Sequence, residues 1–216
     1  MNAKSLVWGL KLPLLCILAV GANYALNTLS VFILKLPLFL DTVFTCAVTF
    51  TAGPVAGIAV AVLTTIIILF RDGSTWLFVL CSITEVLLVW FMQPGPRTAA
   101  WSFRRKEPPP DLPEIKTSFV NTFAALLLLY IAACVAVSVL GGILDFILYD
   151  VFSNEKLHYS PEDTFKMGLL RNGPPILAAN ILSRIPINIV DRFIVIFGGF
   201  AISRFLKGRF RPGKKK

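Results

Sequence analysis

Long apolar runs broken by short polar stretches set the pattern of this chain, and the length of each run limits what it can become. About 20 apolar residues of helix cross a bilayer core of about 30 Å. The runs over 12–34, 38–52, 54–70, 76–92, 118–148 and 176–206 reach that length or come near it. They predict an all-α, polytopic membrane protein, a single domain over 1–216 built as a bundle of about six transmembrane helices. Lys35-Leu36-Pro37 ends the first run, Gly53-Pro54 divides the second from the third, and Arg71-Asp72-Gly73-Ser74 reads as a turn. The connection over 93–117 carries Arg104-Arg105-Lys106 and Pro108-Pro109-Pro110 and is too polar to lie in lipid. The fifth run exceeds the bilayer thickness, so that span is expected to tilt or project. In the second polar connection, over 149–175, Ser160-Pro161-Glu162-Asp163 has the form of an N-cap, a first-position proline and an acidic first turn. Asn172-Gly173 followed by two prolines forms the matching stop, which predicts a short surface helix over 161–171. Pro186 predicts a kink in the last span.

Composition agrees with the pattern. A chain that is 56% hydrophobic and 15% charged, with a mean hydropathy of +0.76, has too little polar surface for a water-facing globule. Its net charge of +9 is distributed for membrane topology rather than for nucleic acid, which is not an expected partner. With the N-terminus inside, the inner segments hold Lys4, Lys11, Arg97, Arg104, Arg105, Lys106, Lys116, Arg204, Lys207, Arg209, Arg211 and the three tail lysines. The outer ones hold Lys35, Arg71, Lys156, Lys166 and Arg171, and that bias places both termini in the cytoplasm. The basic clusters also suit anionic lipid headgroups. The N-terminal stretch begins like a signal peptide, but its apolar character continues through Val31-Phe32-Ile33-Leu34, so a retained first helix is expected. Cys16, Cys46, Cys81 and Cys134 lie in apolar runs without a CxxC pair, and the single histidine, His158, stands apart from all of them. No metal site and no cofactor are expected.

Polar residues inside the spans carry the functional signal, because an ionisable group at mid-membrane normally faces a cavity or a partner. They are Glu85, Asp145, Arg184, Asp191 and Arg192, with Asp41 at the mouth of the second span. Asn180, Arg184, Asn188 and Asp191 stand at offsets of 0, 4, 8 and 11, which places them on one helical face. Two readings stay open. The stripe lines an outward-facing polar pocket, with Arg184 pairing an anionic or carbonyl group, Asn180 and Asn188 supplying amide hydrogen bonds, Asp145 in its outer half, and Asp41 and Glu85 shaping polarity at the mouth. Alternatively, an ion-pair network (Arg184 with Glu85, or Arg192 with Asp191) ties helices together. Glu155, His158, Tyr159 and Glu162 read as a solvated outer loop. The short helix, with Phe165, Leu169 and Leu170 as an apolar underside, is a candidate lid.

Small residues mark close helix approach: Gly53, Gly57 and Ala61 on the third span, and Ala19, Gly21, Ala22 and Ala25 on the first. The first group suits packing within the bundle, and the second suits either that or docking to another subunit. HExxH, GxSxG and Walker A motifs are absent, so no catalytic role is expected.

The chain resembles the substrate-binding S components of energy-coupling factor (ECF) transporters. The similarity rests on Leu36-Pro-Leu-Phe-Leu-Asp-Thr42, Ala52-Gly-Pro-Val-Ala-Gly57 and Arg184-Ile-Pro-Ile-Asn-Ile-Val-Asp-Arg192, together with size, six-span layout and the long outer loop before the last span. The resemblance implies a bacterial cytoplasmic-membrane subunit that captures a vitamin or similar micronutrient from outside and passes it inward with a transmembrane coupling protein and two ATPase subunits. It also implies that the first span docks on the coupling protein through an alanine-rich AxxxA-like face. Gly21-xxx-Ala25 is the nearest match here, and Leu26 breaks the pattern begun at Ala22. The alternative is a membrane-embedded sensory domain like those of some histidine kinases, which would normally precede an output domain; the short basic tail after the last span argues against it.

Overall fold

A helix closes its backbone hydrogen bonds within itself, and so the apolar runs become helices. The computed structural model describes residues 3–72, 76–94, 119–152 and 161–210, which are helical with no strand among them. The helices are α1 (Ala3–Thr28), α2 (Val43–Ala52), α3 (Pro54–Asp72), α4 (Val79–Met92), α5 (Phe119–Asp145), α6 (Pro161–Leu170), α7 (Ile176–Phe193) and α8 (Gly199–Phe210). Wider π-helical turns extend α1 through Leu29–Ile33, extend α5 through Phe146–Val151, and join α7 to α8 through Ile194–Gly198. The continuous stretches Lys11–Ile33, Pro54–Arg71, Phe119–Val151 and Ile176–Lys207 are long and apolar enough to cross a membrane, while Val43–Ala52 and Trp76–Met92 are shorter apolar helices. The fold is an all-α membrane bundle. Most of the 93–117 connection, His158, Ser160, Arg211 and the three tail lysines lie outside the described residues.

The burial pattern is inverted relative to a water-soluble bundle. On α7 the polar Asn180, Ser183, Arg184, Asn188, Asp191 and Arg192 are buried, while Leu182, Ile185, Ile189, Val190 and Phe193 face outward. Apolar groups left outward in this way lose nothing against hydrocarbon. The apolar core lies among α2, α4, α5 and the α7–α8 junction: Val43, Cys46, Phe50, Val89, Leu129, Ala133 and Ile196 are buried there. Short α2 is thus the central element, which explains why it is buried on nearly every side. Close approaches depend on glycine. Gly57 of α3 meets the Thr49 side chain of α2, Gly199 of α8 lies against Cys46 and the Val43 carbonyl, and Gly142 of α5 abuts the backbone of Ile181 in α7. Gly53 instead serves as the hinge between α2 and α3, at φ 95°.

Three boundaries differ from the apolar pattern. The second run, expected as a span over 38–52, turns helical only at Val43, and residues 34–42 form an irregular segment packed against the bundle. Its backbone groups find partners on α1 and its extension: Ser30 Oγ donates to the Leu38 carbonyl (2.7 Å) and Asn27 Nδ2 to the Phe39 carbonyl (2.8 Å). The Leu36 N–H donates to the Ser30 carbonyl (2.9 Å). Lys35 and Leu40 hold φ values of 52° and 44°, unfavourable for side-chain-bearing residues and sustained by these bonds. The fifth helix continues to Val151, which brings Tyr149 and Asp150 out of the expected loop into its last turn. The short helix occupies Pro161–Leu170 and stops at Gly173, φ 89°. It covers the bundle with a polar underside, since Asp163 and Lys166 are buried, whereas Phe165, expected beneath it, faces outward.

Asn23, fully buried on α1, anchors the start of α2. Its Oδ1 accepts the Phe44 N–H (2.9 Å), and its Nδ2 donates to Thr45 Oγ1 (2.9 Å) and Thr64 Oγ1 (3.4 Å). Asn23→Leu keeps the volume and removes all three bonds, leaving a buried N–H in the first turn of α2. The expected loss is about 1–3 kcal/mol, read from denaturation in mixed micelles. An unchanged midpoint would show that α2 does not depend on this anchor.

Candidate functional site

The one-faced stripe on α7 does face inward, toward α5, and its side chains meet three separate sets of partners. Nearest the start of α7, Asn180 is 0% exposed and donates Nδ2 to Asp150 Oδ2 at 2.6 Å. Asp150 in turn receives Lys166 Nζ of α6 at 3.1 Å, so one carboxylate on the last turn of α5 joins α6 to α7. Because the Asn180 amide nitrogen is directed to Asp150, its Oδ1 is left as an acceptor, buried and without a hydrogen-bond partner.

One turn further on, Arg184 pairs with Asp145 of α5 (Nη2–Oδ1 3.4 Å). Its guanidinium lies over the Phe78 ring, 5.3 Å from the centroid. Gly141 makes room beside it: a Cβ there would stand 3.2 Å from Nη1. Arg184 is thus packed against an aromatic ring and bare backbone, with a carboxylate at its tip. Asn188 follows, donating Nδ2 to Ser138 Oγ at 2.9 Å, while its own carbonyl accepts from Cys134 Sγ at 3.3 Å.

The third set is closed upon itself. Arg192 forms buried ion pairs with Glu85 of α4 and with the adjacent Asp191, and donates to Thr42 Oγ1 (3.2 Å). Asp191 Oδ1 accepts the Leu40 N–H at 3.1 Å. Asp41 is half-buried in the 34–42 segment, within Coulombic reach of Arg192, Asp191 and Arg71. The expected pairing of Arg192 with Asp191 is present, and Glu85 joins it; Arg184 meets Asp145, not Glu85.

The six residues proposed from sequence as solute-binding therefore divide: Asn180, Arg184 and Asp145 lie along the seam of α5 and α7, Asn188 is engaged by Ser138, and Glu85 and Asp41 belong with Arg192. Asp150 and Lys166 complete the first group and were not singled out, because the pattern placed both in a polar connection. A second group, Asn23, Asn27 and Ser30, went unread although its offsets of 0, 4 and 7 put it on one face of the first helix. Arg71, expected as a topology charge, reaches back to that helix, donating to Thr28 Oγ1 (2.8 Å) and Asn27 Oδ1 (2.6 Å) and lying over the rings of Tyr24 and Phe32.

On the first helix the four candidate docking residues face different ways. Gly21 and Ala25 are exposed, with open space where a Gly21 Cβ would stand, and Ala22 is half-buried. Ala19 packs inside, against the cluster of Val48, Ala56 and Val60. Among the described residues no group of His, Cys, Asp and Glu has the arrangement of a metal site. No known family model, curated protein or solved structure matches this chain.

Proposed function

We propose that the chain is the solute-capturing membrane subunit of an ATP-dependent uptake transporter of the ECF type, a non-enzymatic binding protein for a vitamin or similar small micronutrient. The observation that carries this reading is Asn180: a fully buried amide on the inward stripe of α7, beneath α6, whose Oδ1 has no hydrogen-bond partner. An unmatched acceptor of this kind is costly in a protein interior unless a ligand supplies the donor. Asp145 and Arg184 stand beside it as a fixed ion pair able to orient a polar solute, and Asp150 with Lys166 links the site to α6. Glu85 and Asp41 then serve the Arg192 cluster instead of the solute. In this reading the chain crosses a bacterial cytoplasmic membrane six times, both termini are cytoplasmic, and α6 lies on the outer side. Transport requires a transmembrane coupling protein and two ATPase subunits, with the exposed Gly21–Ala25 face of the first helix as the docking surface.

Native mass spectrometry of the gently purified full chain tests the reading, with release of a bound small molecule expected. Asn180→Ala is expected to weaken its retention about tenfold or more, the equivalent of one lost hydrogen bond at about 1.4 kcal/mol. Absence of any released solute, or equal retention by the variant, would overturn the assignment. Co-purification with ATPase subunits tests the transport half separately.

A further inference from the structure

Glu85 lies outside the solute site proposed above, and its surroundings pose a separate chemical problem. It is 0% exposed in the middle of α4. Its Oε2 accepts from Arg192, and the Thr42 hydroxyl also bonds the carboxylate, while Oε1, equally buried, has no hydrogen-bond partner. Arg192 is shared, since it also pairs with Asp191, whose second oxygen is taken by the Leu40 N–H. One guanidinium therefore serves two buried carboxylates, and Asp41 adds a third within Coulombic reach. Among the described residues, Arg192 is the cation that acts on Glu85, while Arg184 reaches Cys81 on the same helix and is paired with Asp145. α7 contributes Asp191 and Arg192 and the 34–42 segment contributes Asp41, while α2, α4 and α5 contribute the thiols of Cys46, Cys81 and Cys134. Arg71 reaches Asp41 electrostatically, but its guanidinium is engaged by Asn27 and Thr28.

An anionic surplus with one oxygen that receives no donor is poorly tolerated in an apolar interior. The smallest charge that removes it is a proton. We infer that Glu85 is a proton-binding site: Oε1 takes up one exchangeable proton, Oε2 continues to accept from Arg192, and Asp191 remains the charged partner of that guanidinium. The step forms one O–H bond with a proton drawn from water; no electron moves, and the Glu85–Asp191–Arg192 cluster passes from one net negative charge to neutrality. The effect reaches the backbone through two contacts already described, Arg192 to Thr42 Oγ1 and Asp191 to the Leu40 N–H. Deprotonation draws Arg192 toward Glu85 and loosens its hold on the 34–42 segment, whose closure is thereby linked to proton occupancy. This inference is independent of the solute reading and stands or falls on different measurements.

Infrared difference spectra of the full chain in lipid nanodiscs, recorded across a pH titration, test the site directly. A titrating carbonyl band of a buried carboxylic acid is expected, abolished in Glu85→Gln and retained in Asp145→Asn. Where Glu85→Gln does not accumulate, Glu85→Asp serves, because the shorter acid should keep the band at a shifted frequency. No titrating band, or one that substitution at Glu85 leaves unchanged, would overturn the proposal. Hydrogen–deuterium exchange over 34–42, corrected for intrinsic chemistry, should vary with pH in the natural chain but not in Glu85→Gln. Identical profiles would remove the coupling to the segment.

Discussion

Arg192→Met is expected to be the most damaging single substitution in the chain, costing about 3–5 kcal/mol and preventing accumulation of folded protein. The residue is buried, and both of its carboxylate partners are buried with it. Methionine replaces the volume acceptably but leaves Glu85 and Asp191 facing each other without the cation between them. The penalty is therefore the burial of Asp191 without its cation and the forced protonation of Glu85, not lost packing. That distinction is measurable, because Glu85→Gln and Asp191→Asn, added to Arg192→Met, remove the charges that were stranded. The triple variant should regain most of the loss, since a buried ionic cluster is commonly worth little more than neutral groups of the same shape. Denaturation midpoints in mixed micelles give the comparison. A single variant as stable as the natural chain, or a triple variant no better than the single, would mean that Arg192 acts through packing and not through charge.

The cluster matters beyond its energy because of what it connects. Thr42 and Leu40 are bound by Arg192 and Asp191, across a sequence separation of about 150 residues. The irregular 34–42 segment is therefore held from two sides, by Asn27 and Ser30 of the first helix and by the last turn of α7. A non-helical backbone tolerates a membrane setting only where protein groups replace water as its partners, and here side chains provide them.

That arrangement also explains which parts of the structure were readable from sequence. Helix positions, the short helix over Pro161–Leu170 and the inward face of α7 follow from local periodicity, and the chain displays that openly. Leu36-Pro37-Leu38-Phe39-Leu40 has the apolar character of a helix start, but its conformation is decided by Asn27, Ser30 and Asp191, which local pattern does not register. The spacing of Asn23, Asn27 and Ser30 follows the same rule that exposed the α7 stripe and was available to the same argument. The choice of partners was not. Glu85, Asp145 and Asp150 are all chemically suitable for an arginine on α7, and only the relative rotation of α4, α5 and α7 assigns Arg192 to the first and Arg184 to the second. Small residues show the same limit: Gly57 was recognisable within a repeating series, whereas Gly142 lies beside Gly141 without one, and its importance appears only when α7 is placed against it.

Gly142→Ala is accordingly expected to destabilise the bundle by about 1–3 kcal/mol, out of proportion to one added methyl group. The new Cβ would stand 2.6 Å from Ile181 Cγ1, 2.8 Å from Ile181 Cα and 2.9 Å from its backbone nitrogen. A side-chain tip can rotate away, but a backbone cannot, so α5 and α7 must separate. Separation along this seam also shifts Arg184 from Asp145 and Asn180 from Asp150, which couples a packing defect to the candidate site. Gly141→Ala provides a graded comparison, because its Cβ would meet the Arg184 guanidinium at 3.2 Å and a side chain can yield. Gly21→Ala meets nothing within 4 Å and should change stability by less than about 0.5 kcal/mol. Denaturation midpoints ordered Gly21 least, Gly141 intermediate and Gly142 most affected would follow from the contact between α5 and α7. Equal effects at Gly142 and Gly21 would mean that helix propensity, and not the closeness of the two backbones, governs the response.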